Sequence, residues 1–151
     1  MSGKIAYLDT SAIVKRYVDE PGSDIVRDLY KKCYFGELRI SFSIWNIGEV
    51  LGVINRARVL GRIREEDYVV TKKRFLAETI RLVRLGVLFI VGMRRSILRE
   101  SWRLVERYNI YQADALQVAS AKSVKAEQFF VADRNLHEVA LKEGLNSAYL
   151  G

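Results

Sequence analysis

The sequence predicts an α/β protein: a three-layer α/β/α sandwich with a mainly parallel central sheet and a projecting helical hairpin. Three observations point there. Short apolar runs at 5–8 (I-A-Y-L), 87–91 (V-L-F-I-V) and 128–132 (Q-F-F-V-A) read as fully buried strands. Segments with helical spacing separate them, so strands and helices alternate along the chain. The 151 residues are half apolar, enough for one domain (1–151) with a real core.

Each element follows in order. The strand 5–8 stops abruptly at Asp9, and Ala12-Ile13-Val14-Lys15-Arg16-Tyr17 continues with helical spacing. Residues 22–35 form a second helix, with Ile25, Val26, Leu29 and Tyr30 on one face and Ser23 or Asp24 near its start; Gly36 ends it. A short strand at 38–42 precedes a helix at 44–60 closed by Gly61. Residues 64–85 are helical, and Glu65, Glu66 and Asp67 suit the positive end of its dipole. No strand separates these two helices, so they form the hairpin beside the sheet. After the strand 87–91 come helices at 94–108 and 112–124, the strand 128–132, a helix at 134–143 stopped by Gly144, and an edge strand at 147–150.

Composition narrows the chemistry. One cysteine, Cys33, excludes an internal disulfide framework and a cysteine-rich zinc site. One histidine, His137, excludes paired-histidine catalysis, and neither residue has motif context for a Cys–His nucleophile pair. No apolar run is long enough to span a bilayer and no signal peptide is evident, so a reducing, cytoplasmic location with no membrane partner is expected. The net charge of +7 points to a polyanion, nucleic acid before membrane, or to a merely basic surface.

Most of the 18 acidic residues lie among other charges, as solvated side chains do. Four do not. Asp9 is the only charge between Ile5 and Val14, Glu49 between Ile40 and Asn55, and Asp114 between Tyr108 and Ala121. Asp133 follows the apolar run 129–132. A carboxylate inside a buried segment is costly unless it is paired or binds a cation. Each has a plain alternative: Asp9 and Asp133 as helix N-caps, Asp114 as a helix-dipole partner, Glu49 in a buried ion pair with an arginine. All four converging on a hard divalent cation such as Mg²⁺ is the simpler account of the set.

The chain resembles a PIN-domain protein of the VapC-type toxin ribonuclease group. The resemblance rests on Y-L-D-T-S-A-I-V-K-R-Y at 7–17, E-P-G-S at 20–23, the isolated Glu49, Q-A-D-A-L-Q-V-A-S-A at 112–121 and V-A-D-R-N-L at 131–136. It implies a Mg²⁺- or Mn²⁺-dependent ribonuclease acting on single-stranded RNA. Asp9, Glu49, Asp114 and Asp133 match the family's acidic positions, and Ser11 its hydroxyl position near the metal. It also implies a homodimer and a small antitoxin partner. Segment 56–108 matches only in general character.

Arg95, Arg99 and Arg103, with Arg107, recur every four residues along one side of the helix 94–108. As a group they read as a phosphate track for RNA; singly, each reads as a solvated helix face. Two other functions compete with the nuclease. A non-catalytic RNA- or protein-binding module would lack one of the carboxylates, and none is missing. A phosphotransferase with Asp9 as nucleophile wants an acid two residues on, where Ser11 stands.

Overall fold

Five strands and seven helices make up most of residues 3–151, the part of the chain that the computed structural model describes. In chain order they are β1 (Ile5–Leu8), α1 (Thr10–Tyr17), α2 (Ser23–Tyr34), β2 (Arg39–Ser43), α3 (Ile44–Val59), α4 (Glu65–Arg84), β3 (Leu88–Val91), α5 (Arg95–Tyr108), α6 (Gln112–Ser123), β4 (Gln128–Val131), α7 (Arg134–Lys142) and β5 (Ser147–Tyr149). Every expected element is present. α1 starts two residues earlier than its apolar spacing suggests, because Asp9 caps it.

The strands pair in the order β3-β2-β1-β4-β5, all parallel. From β1 the chain winds outward to β2 and β3, then returns to the other side of β1 for β4 and β5. The reversal makes the gap between the carboxyl ends of β1 and β4 a topological switch point, where open α/β sheets place ligands.

Side chains alternate across the sheet with the period of two that a strand imposes. Ala6, Leu8, Ile40, Phe42 and Phe130 face the layer of α1 to α4, with Ile13, Val26, Leu29, Val50 and Phe75. Tyr7, Phe129 and Val131 face the layer of α5 to α7, with Ile97, Leu104, Leu116, Leu136 and Val139. Tyr7 and Phe129 stack with ring centroids 5.6 Å apart. Parallel strands covered on both faces read as unbroken apolar runs, which explains the clarity of β1 and β4 in the sequence. β3 is not the fully buried strand its apolar run suggests, because it lies at the sheet edge and leaves Phe89 exposed. α6 is buried from Ala115 through Ala121 because it lies between the sheet and α5.

The α3–α4 hairpin is seated by Val50, Ile54, Phe75 and Leu82, all core residues, while its tip at Val59 and Leu60 stands in solvent. Gly61 turns it at φ +71°, a conformation that favours glycine. Gly22 has a different reason for being glycine. It combines φ +90° with a close approach, and a Cβ there would meet the Leu150 carbonyl oxygen at 2.7 Å.

Each helical layer is tied by one carboxylate. Glu78 accepts hydrogen bonds from Arg16 at 2.8 Å through both Nε and the terminal nitrogen, and from Tyr17 and Tyr34 at 2.9 and 2.8 Å, joining α1, α2 and α4. Glu143, just past α7, accepts from Arg103 at 2.6 Å, Tyr108 at 2.5 Å and Lys122 at 3.0 Å, joining α5, α6 and α7. Burial pushes the Glu143 carboxyl up, but the bonds from Tyr108, Lys122 and Arg103 outweigh it and hold it at about 2, below its ordinary 4.5. A carboxyl lowered by folding stabilises the protein above its unfolded value, and that stability is lost as pH falls from about 4.5 toward 2. Glu143→Gln is expected to lower the urea-unfolding free energy by about 1–2 kcal/mol at pH 7, the half-exposed cations being screened by water. The gap between mutant and wild type should close as unfolding is repeated at pH values approaching 2.

Candidate active site

Asp9 occupies the residue where β1 ends and α1 begins. Its Oδ1 accepts the Ala12 N–H at 3.0 Å and the Ser11 hydroxyl at 2.6 Å, so it is the helix N-cap. Both contacts fall on Oδ1, and Oδ2 has no partner within the described chain. Ser11 in turn accepts the Ala132 N–H at 2.9 Å, tying the carboxyl end of β1 to that of β4. Asp133, exposed at the end of β4, caps α7 through the Leu136 N–H at 3.0 Å. Asp114 lies in the first turn of α6, where the helix dipole favours a negative charge. Glu49 lies on α3, and its Oε1 accepts the Thr10 hydroxyl at 2.7 Å. The arginine ion pair considered for Glu49 is not what holds it.

These four carboxylates line one cleft of about 370 Å³, together with Thr10, Ser11, Val14, Glu20, Val53 and Gln117. It opens at the carboxyl ends of the strands. Glu20 is neutralised by Lys15 at 3.1 Å. Asp9, Glu49, Asp114 and Asp133 form no ion pair with any lysine or arginine among the described residues. The electrostatics show the cost. Burial, together with the charges of Asp114 and Asp133, pushes the Asp9 carboxyl up to about 7, against the lowering effect of the Ser11 and Ala12 bonds. Asp114 is also raised, by burial first and then by Asp133 and Glu49.

An all-oxygen, uncompensated acidic cleft suits a hard divalent cation. Among the described residues no group of three or more acidic, histidine or cysteine side chains is placed so that together they could hold a metal ion. Mg²⁺ does not need one, since it keeps several waters and is usually held by one or two carboxylates.

The remaining expectations sort as follows. Arg95, Arg99 and Arg103 are exposed on α5, and none lines the cleft. Arg103 is committed to Glu100 at 2.7 Å and Glu143 at 2.6 Å, so it serves the ion cluster described above. Cys33 and His137 do not meet: Cys33 is in the core against the Val87 carbonyl, and His137 contacts Ser147. Asn46 and Gln117 are not singled out in the sequence, although each is an isolated polar residue in an apolar stretch; Thr10 stands between Asp9 and Ser11 in the motif at 7–17.

The Ser11 link carries a prediction. Ser11→Ala leaves the Ala132 N–H without its partner, at an expected cost of about 1–3 kcal/mol in urea unfolding with chelator present. Unchanged stability would mean that water replaces the hydroxyl there.

Comparison with known proteins adds the last evidence. The PIN domain family model matches residues 6–142, from β1 into α7. The fold is similar to that of VapC20 from Mycobacterium tuberculosis, a sarcin-ricin loop cleaving toxin (TM-score 0.62, 15% identity, 87% of this chain and 92% of that one). It is similar to VapBC2 from Rickettsia felis bound to a DNA fragment from its promoter (TM-score 0.63, 14% identity, 97% and 99%). A toxin–antitoxin complex from Klebsiella pneumoniae is a third likeness (TM-score 0.57, 15% identity, 85% and 86%). A comparison with curated proteins found no match. With a matching family model over most of its length, and acidic residues gathered at the carboxyl end of a parallel sheet, the chain belongs to the PIN domain family.

Proposed function

We propose that this chain, acting as one nuclease domain over residues 1–151, is a Mg²⁺- or Mn²⁺-dependent endoribonuclease that cleaves single-stranded RNA. The observation that carries the proposal is the cleft itself: four carboxylates at the sheet's carboxyl end, with no lysine or arginine among the described residues that line it. Asp9 and Asp114 would be the main ligands, with Glu49 and Asp133 completing the site directly or through water. When bound, the ion supplies charge neutralisation and Lewis acidity for in-line attack of water on a phosphodiester. The chain's own residues hold the geometry. Ser11 fixes Oδ1 of Asp9, and the α6 N-terminus carries Asp114. The net charge of +7 favours a polyanionic substrate.

The biological reading is the toxin of a toxin–antitoxin pair, held by a small antitoxin and assembled as a homodimer. What supports it is membership of the PIN family and the likeness to a cleaving toxin and to toxin–antitoxin complexes. A cytoplasmic location is part of the same proposal; among the described residues no helix is long and apolar enough to cross a membrane.

Asp9→Asn is the direct test. Asparagine caps a helix about as well as aspartate, so a purely structural Asp9 predicts little change. A ligand role predicts that cleavage of single-stranded RNA in Mn²⁺ falls roughly 100-fold or more. Metal-free stability should hold or rise, since one of several repelling charges is removed. Chelator-resistant cleavage would exclude a metal mechanism, and RNA binding without cleavage would favour the binding-module alternative.

The arginines give a second test on the free protein. Arg95→Glu and Arg99→Glu should each lower the slope of log affinity against log salt by about 0.7 if each contacts one phosphate of a single strand. Arg103→Glu should instead lower the melting temperature, because it opposes Glu100 and Glu143.

A further inference from the structure

We propose that Asn46 and Thr10 form a hydrogen-bond relay of fixed polarity that positions Glu49 for the cleft, with Gln117 as its buttress. The inference rests on the reading of Glu49 as a member of the metal site. Its direction is set by one backbone group. The Ser43 N–H, at the start of α3, can only donate, and it lies 2.7 Å from Oδ1 of Asn46. The Asn46 amide is thereby oriented, and its Nδ2 faces inward with two hydrogens to place. One goes to Oγ1 of Thr10 at 2.9 Å, the other to Oε1 of Gln117 at 2.9 Å. Both donors and the acceptor of this amide are used.

The consequence passes to Thr10. Its hydroxyl oxygen accepts from Asn46, so its single hydrogen is free to point only outward, to Oε1 of Glu49 at 2.7 Å. A carboxylate only accepts, so the chain ends there without conflict. Asn46 and Glu49 are three residues apart on α3 and share a face. Thr10 is the residue after Asp9. The relay therefore locks a flexible glutamate of α3 to the residue that follows the β1 carboxylate, and leaves Oε2 without a partner in the described chain.

Gln117 holds the relay from the other layer. It is 3% exposed, and its Oε1 also accepts the Tyr7 hydroxyl at 2.9 Å. Asn46 is fully buried at 0% exposure, so its amide has no water to turn toward. Once Gln117's oxygen is committed to Tyr7 and Asn46, its Nε2 is left without a partner. That buried, unsatisfied donor is a cost that nothing in the packing alone demands, since a methionine would fill the same space. It is the cost of presenting an acceptor to Asn46. Asn46, Thr10 and Gln117 are thus positioning residues, acting on Glu49 and not on substrate.

The experiment measures Mn²⁺ affinity by calorimetry on RNA-free protein, with melting temperature alongside. Thr10→Val keeps shape and removes the hydroxyl; its Mn²⁺ dissociation constant is expected to rise about tenfold, the scale seen for groups that orient ligands. Thr10→Ser should restore most of the affinity. Gln117→Met should weaken Mn²⁺ binding in the wild-type background and have no further effect in Thr10→Val, because both act through one chain of bonds. Glu49→Gln is the reference. If it leaves Mn²⁺ affinity unchanged, the reading of Glu49 as a site residue fails. If it weakens binding while Thr10→Val does not, or if the effects of Gln117→Met and Thr10→Val simply add, the site stands and the relay is overturned.

Discussion

Uncompensated negative charge at the carboxyl end of a parallel sheet is the constraint on which the rest of this structure depends. Asp9, Glu49, Asp114 and Asp133 face one cleft with no lysine or arginine among them. The other partly buried acidic residues among those described are answered by cations. Glu78 has Arg16, and Glu143 has Arg103 and Lys122. The chain carries 25 basic residues, so the lack of a partner in the cleft is not a shortage of cations. Folding instead spends hydrogen bonds: the Ala12 and Ala132 amides with Ser11, the Leu136 amide, and the Thr10 hydroxyl. These hold carboxylates in place without neutralising them, which is the condition a metal site needs and a purely structural site would avoid.

The fold was legible because its signals are local and redundant. β1 and β4 are covered on both faces and β3 is apolar even at the sheet edge, where Phe89 is exposed, so each reads as an apolar run bounded by a sharp stop. The helices are stopped by glycines that adopt positive φ, among them Gly36, Gly61, Gly86 and Gly144. What could not be read was pairing. Nothing local to residues 5–8 says that β1 lies between β2 and β4, and that placement creates the switch point. The crossover rules for parallel strands restrict the options, but the order emerges only from how the two helical layers fill.

The cleft was legible in the sequence because its carboxylates are isolated charges. All four line it, and Ser11 joins them. The cap and site readings of Asp9 and Asp133, set against each other in sequence, are compatible in space, because capping uses one carboxylate oxygen and leaves the other. Asn46 and Gln117 escaped notice because amides carry no charge and an isolated amide in an apolar stretch looks like a tolerated core residue. Their meaning depends on long-range partners: Gln117 lies 71 residues from Asn46 and 110 from Tyr7. The arginine repeat on α5 is a related case. Spacing shows that side chains share a face, not what they pair with, and Glu143, just past α7, accepts from Arg103.

Both helical layers contribute side chains to this cleft. Glu49 and Thr10 come from the layer of α1 to α4, Asp114 and Gln117 from the layer of α5 to α7, and Asp9 and Asp133 from strand ends between them. Each layer has its own apolar core and its own ion cluster, so each could be tuned without disturbing the other. A polar bond that crosses between them lies beneath the cleft, from Asn46 to Gln117, and Gln117 also accepts the Tyr7 hydroxyl on its own side of the sheet. The geometry of the carboxylates is therefore set by how the layers register on the sheet, through amides buried below the charges. A parallel sheet suits this arrangement, because its carboxyl ends bring residues from distant parts of the chain to one edge while the cores on either face carry the stability.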